Sequence, residues 1–452
     1  MKWISIKILV VLALGVAAFG QSPPQVQAIL DRLDQLEKDN QALLEEVRSL
    51  RQEVSGLHTA PVQSQTAEEM QAVEQNRIDE LAQTKVEASQ KFPIRITGMA
   101  LFNASVNGRF NGNMENPLIA SQTPGEMTGD GTLRQTTLGL LFNGPQTFWN
   151  GKVSGSVYMD FFGGTTYSLN HLVRLRTAAI NIDWKNTSVM FGQDKPIISP
   201  RDPDSLAQVG YSPLTWAGNL WLWQPQARVE QRFSLGESSG LRAQAGVFVT
   251  SSLNYPSTTA NPPVYDGAPT QQEFSTPGAE ARLEFWHRWS DTGRLEIAGG
   301  YHFNQNRVIE TLVPSEVYSL DWFLRPIPKL EFSGMFFHGQ NVGTLGGLPQ
   351  GFIVERYSGE VTAVHTNGGW AQIRVPITSR LAWDLYGGQQ NDRNSDLAYG
   401  YIGKNQGYFS NLMYRIAPNV MVSLEGGQVR TTYLGLGNRL NDHYDLAVAY
   451  LF

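Results

Sequence analysis

The chain has 452 residues, a formal net charge of −6 and 0 Cys. The absence of cysteine excludes a disulfide scaffold, a thiolate metal site and a cysteine nucleophile. Aromatic residues and glycine are plentiful, with 21 Phe, 16 Tyr, 11 Trp and 44 Gly, while hydrophobics reach only 41%, a mixture that suits strands with one wet and one apolar face.

Residues 1–20 read as an export signal. Lys2 and Lys7 form a basic start, Ile8 to Phe19 an apolar run, and Ala18-Phe19-Gly20 a small-residue site that predicts cleavage before Gln21. The apolar run is short for a spanning helix, which makes an uncleaved anchor the weaker alternative. Beyond Gln21 the sequence has no apolar stretch of about 18 residues, so no transmembrane helix is expected.

Residues 21–58 are expected to form a coiled-coil oligomerisation stalk. From residue 25, the a positions are Val26, Leu33, Asn40, Val47 and Val54, and the d positions are Ile29, Leu36, Leu43, Leu50 and Leu57. Asn40 at an a position suits a register device, and β-branched residues at a with Leu at d lean toward two strands. A single amphipathic helix packed on a domain is the alternative. Residues 59–92 form a linker, broken at Pro61, with a second helical segment of poor heptad quality. The acidity of the chain sits mostly in this N-terminal part, so net charge says little about what the rest binds.

From Pro93 the period changes to alternation. Residues 93–452 are predicted to be an all-β transmembrane barrel of about sixteen antiparallel strands behind the α-helical coiled coil. The fifth strand is placed near 187–194, the sixth near 222–235, the ninth near 294–304 and the tenth near 315–325. Connections alternate between short turns, such as Lys185-Asn186 and Thr378-Ser379, and long loops at 108–131, 195–221, 252–277, 339–368 and 391–405. Short turns on one side and long loops on the other suit periplasmic and extracellular ends. Trp149, Trp184 and Trp289 at short turns, and Trp216, Trp221 and Trp223 beside a long loop, are expected at the lipid interface. The last strand alternates Tyr444, Leu446, Val448 and Tyr450 on an apolar face and ends at Phe452.

Alternation also assigns the inner face. Arg174, Arg176, Arg228, Glu230, Arg232, Arg242, Arg282, Glu284, Arg294 and Arg374 fall in the lumen-facing phase, where a charge avoids the roughly 2–4 kcal/mol cost of the mid-bilayer lipid face. These arginines form either a cationic track for anions or a structural network with the neighbouring carboxylates. The loop 195–221 is the best candidate for a constriction, with Lys195, Arg201, Asp202, Asp204 and Tyr211 stiffened by Pro196, Pro200, Pro203 and Pro213. A surface cap or a subunit contact is the alternative for that loop.

Enzyme signatures are weak. The 7 His have no metal-ligand spacing, no G-x-S-x-G elbow occurs, and no basic cluster points to nucleic acid. No cofactor, metal or catalytic residue is expected. His443 near Asn441 and Ser423 is the one combination that a lipase reading has to test.

An export signal, a coiled coil, about sixteen strands and a terminal Phe together resemble the trimeric outer-membrane porins, in particular the DcaP-like porins that carry an N-terminal periplasmic coiled coil. The resemblance spans the mature chain and rests on architecture, with no motif for transferring solute contacts. It implies a homo-oligomer, a trimer despite the dimer-leaning heptads, embedded in outer-membrane lipids with the stalk in the periplasm. It also implies passive uptake of small, often anionic, solutes, and an assembly signal at Tyr450 and Phe452. A structural tether, joining the outer membrane to the cell wall through the stalk, is the alternative function.

Overall fold

The computed structural model describes residues 94–163, 171–207, 210–249, 274–275, 277–308, 311–355 and 358–452. The expected export signal, stalk and linker lie outside the described residues.

Sixteen strands make up the wall. They are β1 Ile94–Asn107, β2 Thr137–Thr147, β3 Gly151–Gly163, β4 Leu172–Asp183, β5 Thr187–Asp194, β6 Gln224–Ser234, β7 Ser239–Phe248 and β8 Gly278–Arg288. The second half is β9 Arg294–Val308, β10 Thr311–Ile327, β11 Leu330–Gln340, β12 His365–Pro376, β13 Leu381–Asp392, β14 Ile402–Ala417, β15 Val420–Tyr433 and β16 Gly437–Leu451. Each pairs antiparallel with its neighbours in sequence, and β16 pairs with β1, from Met99 opposite Leu451 to Asn107 opposite His443. Closure leaves no sheet edge, so every wall strand has partners on both sides.

Alternation along the strands explains the two surfaces. Val229, Phe233, Val247, Leu283, Leu424 and Val448 stand on the exposed outer face. Their sequence neighbours point inward, where His302, Asn304, Gln372, Asp384, Asn411 and Asp445 are buried. A soluble protein would reverse this arrangement, because water would sit outside.

β9 and β10 run further than the sequence suggests. Their ladder continues from Arg294 opposite Arg325 up to Val308 opposite Thr311. The alternation is obscured there because inward Asn304, Asn306 and Ser315 are polar, and Pro314 stands opposite Gln305. A polar, proline-bearing run has the composition of a loop even where it continues a strand.

The described residues of 195–223, between β5 and β6, pack against the inner wall. Ile198, Leu214, Ala217 and Leu220 join Val317, Met335, Phe337, Trp370, Tyr386, Phe409 and Val429 in one buried apolar cluster. The inner face is thus apolar where this segment covers it, on β10 to β15. Removing that apolar surface from water is what draws the segment inward.

Candidate functional site

The inner segment meets the wall at successive points. Ile198 O accepts from Ser319 Oγ of β10 at 3.1 Å, and Asp204 N donates to Gln372 Oε1 of β12 at 2.9 Å. Ser205 Oγ donates to Glu425 of β15 at 2.7 Å, Leu206 O accepts from Asn103 of β1 at 2.9 Å, and Ala207 O accepts from Gln135 at 3.2 Å. Ten residues of chain therefore bond strands β10, β12, β15 and β1, and Gln135 just ahead of β2. The segment spans the inside of the barrel, as an internal loop must if it is to narrow a lumen.

Its own fold is held by Asp202. That carboxylate pairs with Lys195 and accepts from Ser212 Oγ and Asn219 Nδ2, both at 3.0 Å. Leu214 and Trp216 adopt left-handed backbone, at φ 60° and 63°. Such a conformation costs a bulky residue about 1–3 kcal/mol and persists only where surrounding contacts over-determine it. Leu214 O accepts from Ala217 N at 2.9 Å and from Asn219 N at 3.3 Å. Gly218, at φ 105°, lies so close to the Gly369 carbonyl oxygen that a Cβ there would collide with it.

The anchor to the wall is Arg201. Its guanidinium bonds Asp321 of β10 and Glu296 of β9, and reaches Glu284 of β8 at 3.8 Å. Of the five residues expected to form a constriction, Lys195, Arg201, Asp202 and Asp204 thus lie in ion pairs of this segment. Tyr211 packs edge-on against Phe162 with ring centroids 4.9 Å apart.

The inward arginines are paired. Arg174 grips Asp160 through Nη2 at 2.6 Å and Nε at 3.1 Å, and Arg176 reaches the same carboxylate at 3.8 Å. Arg228 pairs with Asp194 at 3.0 Å, Arg232 with Glu230 at 3.4 Å, and Arg242 with Glu284 at 3.3 Å. Arg282 sits between Asp321 and Glu284, both at 2.7 Å. Arg294 pairs with Glu296 at 3.3 Å, and Arg374 bridges Asp204 at 2.9 Å and Asp384 at 3.4 Å. The arginines are therefore not a bare cationic track; each is part of a cross-strand network. The network is nevertheless uneven. Arg174 and Arg176 share one carboxylate, whereas β13, β15 and β16 carry the buried Asp384, Glu425 and Asp445.

One expectation changes. Trp221 and Trp223 are buried inside the barrel, 5.1 Å apart, and do not stand at its outer rim. The Arg174 and Arg176 guanidinium groups lie over the Trp223 ring at 5.2 and 5.1 Å. Trp216 likewise packs with Leu348, Ile402 and Tyr433. Cation–π contacts and apolar packing capture these rings once their segment turns inward, whereas Trp149 and Trp289 remain exposed beside short turns. The pairing imagined for His443 is absent: its Nδ1 contacts Asn107 Oδ1 at 2.6 Å, and Ser423 stands opposite Ala447, four positions along the ladder.

Sequence reasoning missed the apolar inner stripe. Val317, Met335, Phe337, Trp370 and Phe409 sit in the phase reserved for the lumen, and that apparent violation of alternation was the available signal for an inward-folded segment.

The sequence matches no family model, and no curated protein matches it. Solved structures do resemble the fold. The outer membrane channel DcaP of Acinetobacter baumannii superposes with a TM-score of 0.61 at 16% identity, covering 79% of this chain and 97% of that one. An anion-selective porin from Comamonas acidovorans gives 0.52 at 10% identity, covering 79% and 99%. OmpF of Salmonella typhi gives 0.50 at 11% identity, covering 79% and 97%. The barrel has the sixteen-stranded architecture of outer-membrane porins.

Proposed function

We propose that the protein is an outer-membrane porin for passive diffusion of small hydrophilic solutes, leaning to anions. The observation that carries the reading is the segment 195–223, folded into a closed barrel and fastened there by Arg201 to β8, β9 and β10. A barrel that served only as an anchor has no need of an internal segment with charges of both signs. An apolar outer face and closed hydrogen bonding are what a lipid environment demands.

Permeation needs no cofactor or catalytic group. Solutes pass a polar wall whose charges are mostly paired with neighbours, so they meet oriented side chains at little desolvation cost. The anion preference is supported by the shared carboxylate of Arg174 and Arg176, which leaves positive charge in excess there. Asp384, Glu425 and Asp445 stand on other strands and Asp204 on the inner segment, which favours a field across the lumen. The assembly is proposed as a trimer with the stalk of residues 21–58 in the periplasm. The tether alternative rests on that stalk alone and gains no support from the described residues.

Reversal potential across a planar bilayer in a potassium chloride gradient tests the selectivity. Anion preference is expected, and Arg176→Gln should shift the potential toward the cation side. A clear cation preference in the wild type would reject the anion claim.

A further inference from the structure

A second cluster of cations lies at the rim formed by the short turns and meets the inner segment at Glu296, which Arg201 also bonds. Lys185 in the turn between β4 and β5, Arg232 at the end of β6, Arg242 at the start of β7, and Arg288 and Arg294 around the β8–β9 turn line one polar cavity of about 310 Å³. Among these lining residues Glu296 is the one carboxylate. Glu230 and Glu284 stand behind it, and Glu284 already serves Arg282. Lys185 and Arg288 form no ion pair among the described residues.

The ladder makes this arrangement costly. Arg232 stands directly opposite Arg242, and Arg288 directly opposite Arg294. Like charges directly opposed across strands repel. The Nε atoms of Arg232 and Arg242 share one carboxylate, Glu230, at 3.4 and 3.7 Å, and Arg294 Nε lies 3.3 Å from Glu296, which Arg201 also bonds. Shared carboxylates leave the cavity short of negative charge, which a bound anion would supply. Arg288 lies over the Trp286 ring at 5.6 Å, which helps to hold its cation in place.

We infer that this rim cavity is a binding site for a multivalent phosphate-type oxyanion, reached from the side of the short turns. The guanidinium fork matches phosphate oxygens, and a lysine adds a mobile point charge. The cavity has room for about ten waters, which suits a small ion. The inference rests on the channel reading for its route of access, and the site itself stands on the cavity alone.

Titration of inorganic pyrophosphate into the detergent-solubilised full chain reads the site directly. One site per chain is expected, weakened about tenfold or more in the Lys185→Gln/Arg288→Gln double variant. Arg380→Gln, at a different short turn, should bind as the wild type does, and Arg288→Lys should retain most of the affinity. No binding, or equal binding in the double variant, overturns the proposal. In planar bilayers, pyrophosphate should block chloride current when added to one side and not the other, and the double variant should lose that block. Titration without any current would sink the channel reading and leave the site standing; current without a titratable site would do the reverse.

Discussion

At the scale of single residues, burial decides which charges matter. The Arg282, Asp321 and Glu284 side chains are 2%, 2% and 1% exposed, so their ion pairs are screened little by solvent. Arg282→Met would leave two carboxylates with only the partial attention of Arg201 and Arg242. Removing one partner of a buried ion pair typically costs about 3–5 kcal/mol. Urea unfolding of the lipid-reconstituted protein should show a loss near the lower end of that range, because two other arginines remain nearby. Unchanged stability would mean that the network carries no structural weight. Arg232 and Arg242 are more than a third exposed, and their replacement should change stability far less.

At the scale of elements, alternation made the wall legible and hid what lies inside it. The sixteen strands follow from a period of two with turn residues between, and the inward placement of Arg228, Arg242 and Arg282 follows from the same count. The partners of Arg201 did not follow, because Asp321 and Glu296 lie 120 and 95 residues away in sequence. Trp221 and Trp223 read equally well as rim or interior rings until the direction of their segment is known. The apolar inner stripe on β10 to β15 looked like imperfect alternation, although it is the surface that the segment covers.

The closing seam is a second element-level test. Gly98 N donates to Phe452 O at 2.9 Å, Phe452 N donates to Gly98 O at 3.1 Å, and Thr97 Oγ1 also donates to Phe452 O at 3.0 Å. Deleting Phe452 removes these bonds as well as the proposed assembly signal. Membrane insertion should fall severalfold, as read by heat-modifiable mobility of the membrane fraction, while protein that does insert should conduct normally. Normal insertion would contradict both roles of the residue.

For the whole molecule, the proposed function rests on a closed barrel and an internal segment together. Neither the wall nor the segment is informative alone: a barrel of this fold can be plugged, and a segment with paired charges can be a structural brace. Their combination makes a specific physical claim, that the width of the route is set by residues 195–223 and by the bonds that hold them. Gly218 is the point at which that claim is most exposed, since a Cβ there would meet the Gly369 and Gln389 carbonyl oxygens of β12 and β13 and push the segment off the wall.

Single-channel recording of the wild type and Gly218→Val in planar bilayers is therefore the most direct test. The account predicts discrete conductance steps in the wild type and a clearly altered step size in the variant, with the barrel still resistant to unfolding. Absence of steps in the wild type, or an identical step size in a folded Gly218→Val protein, would contradict it.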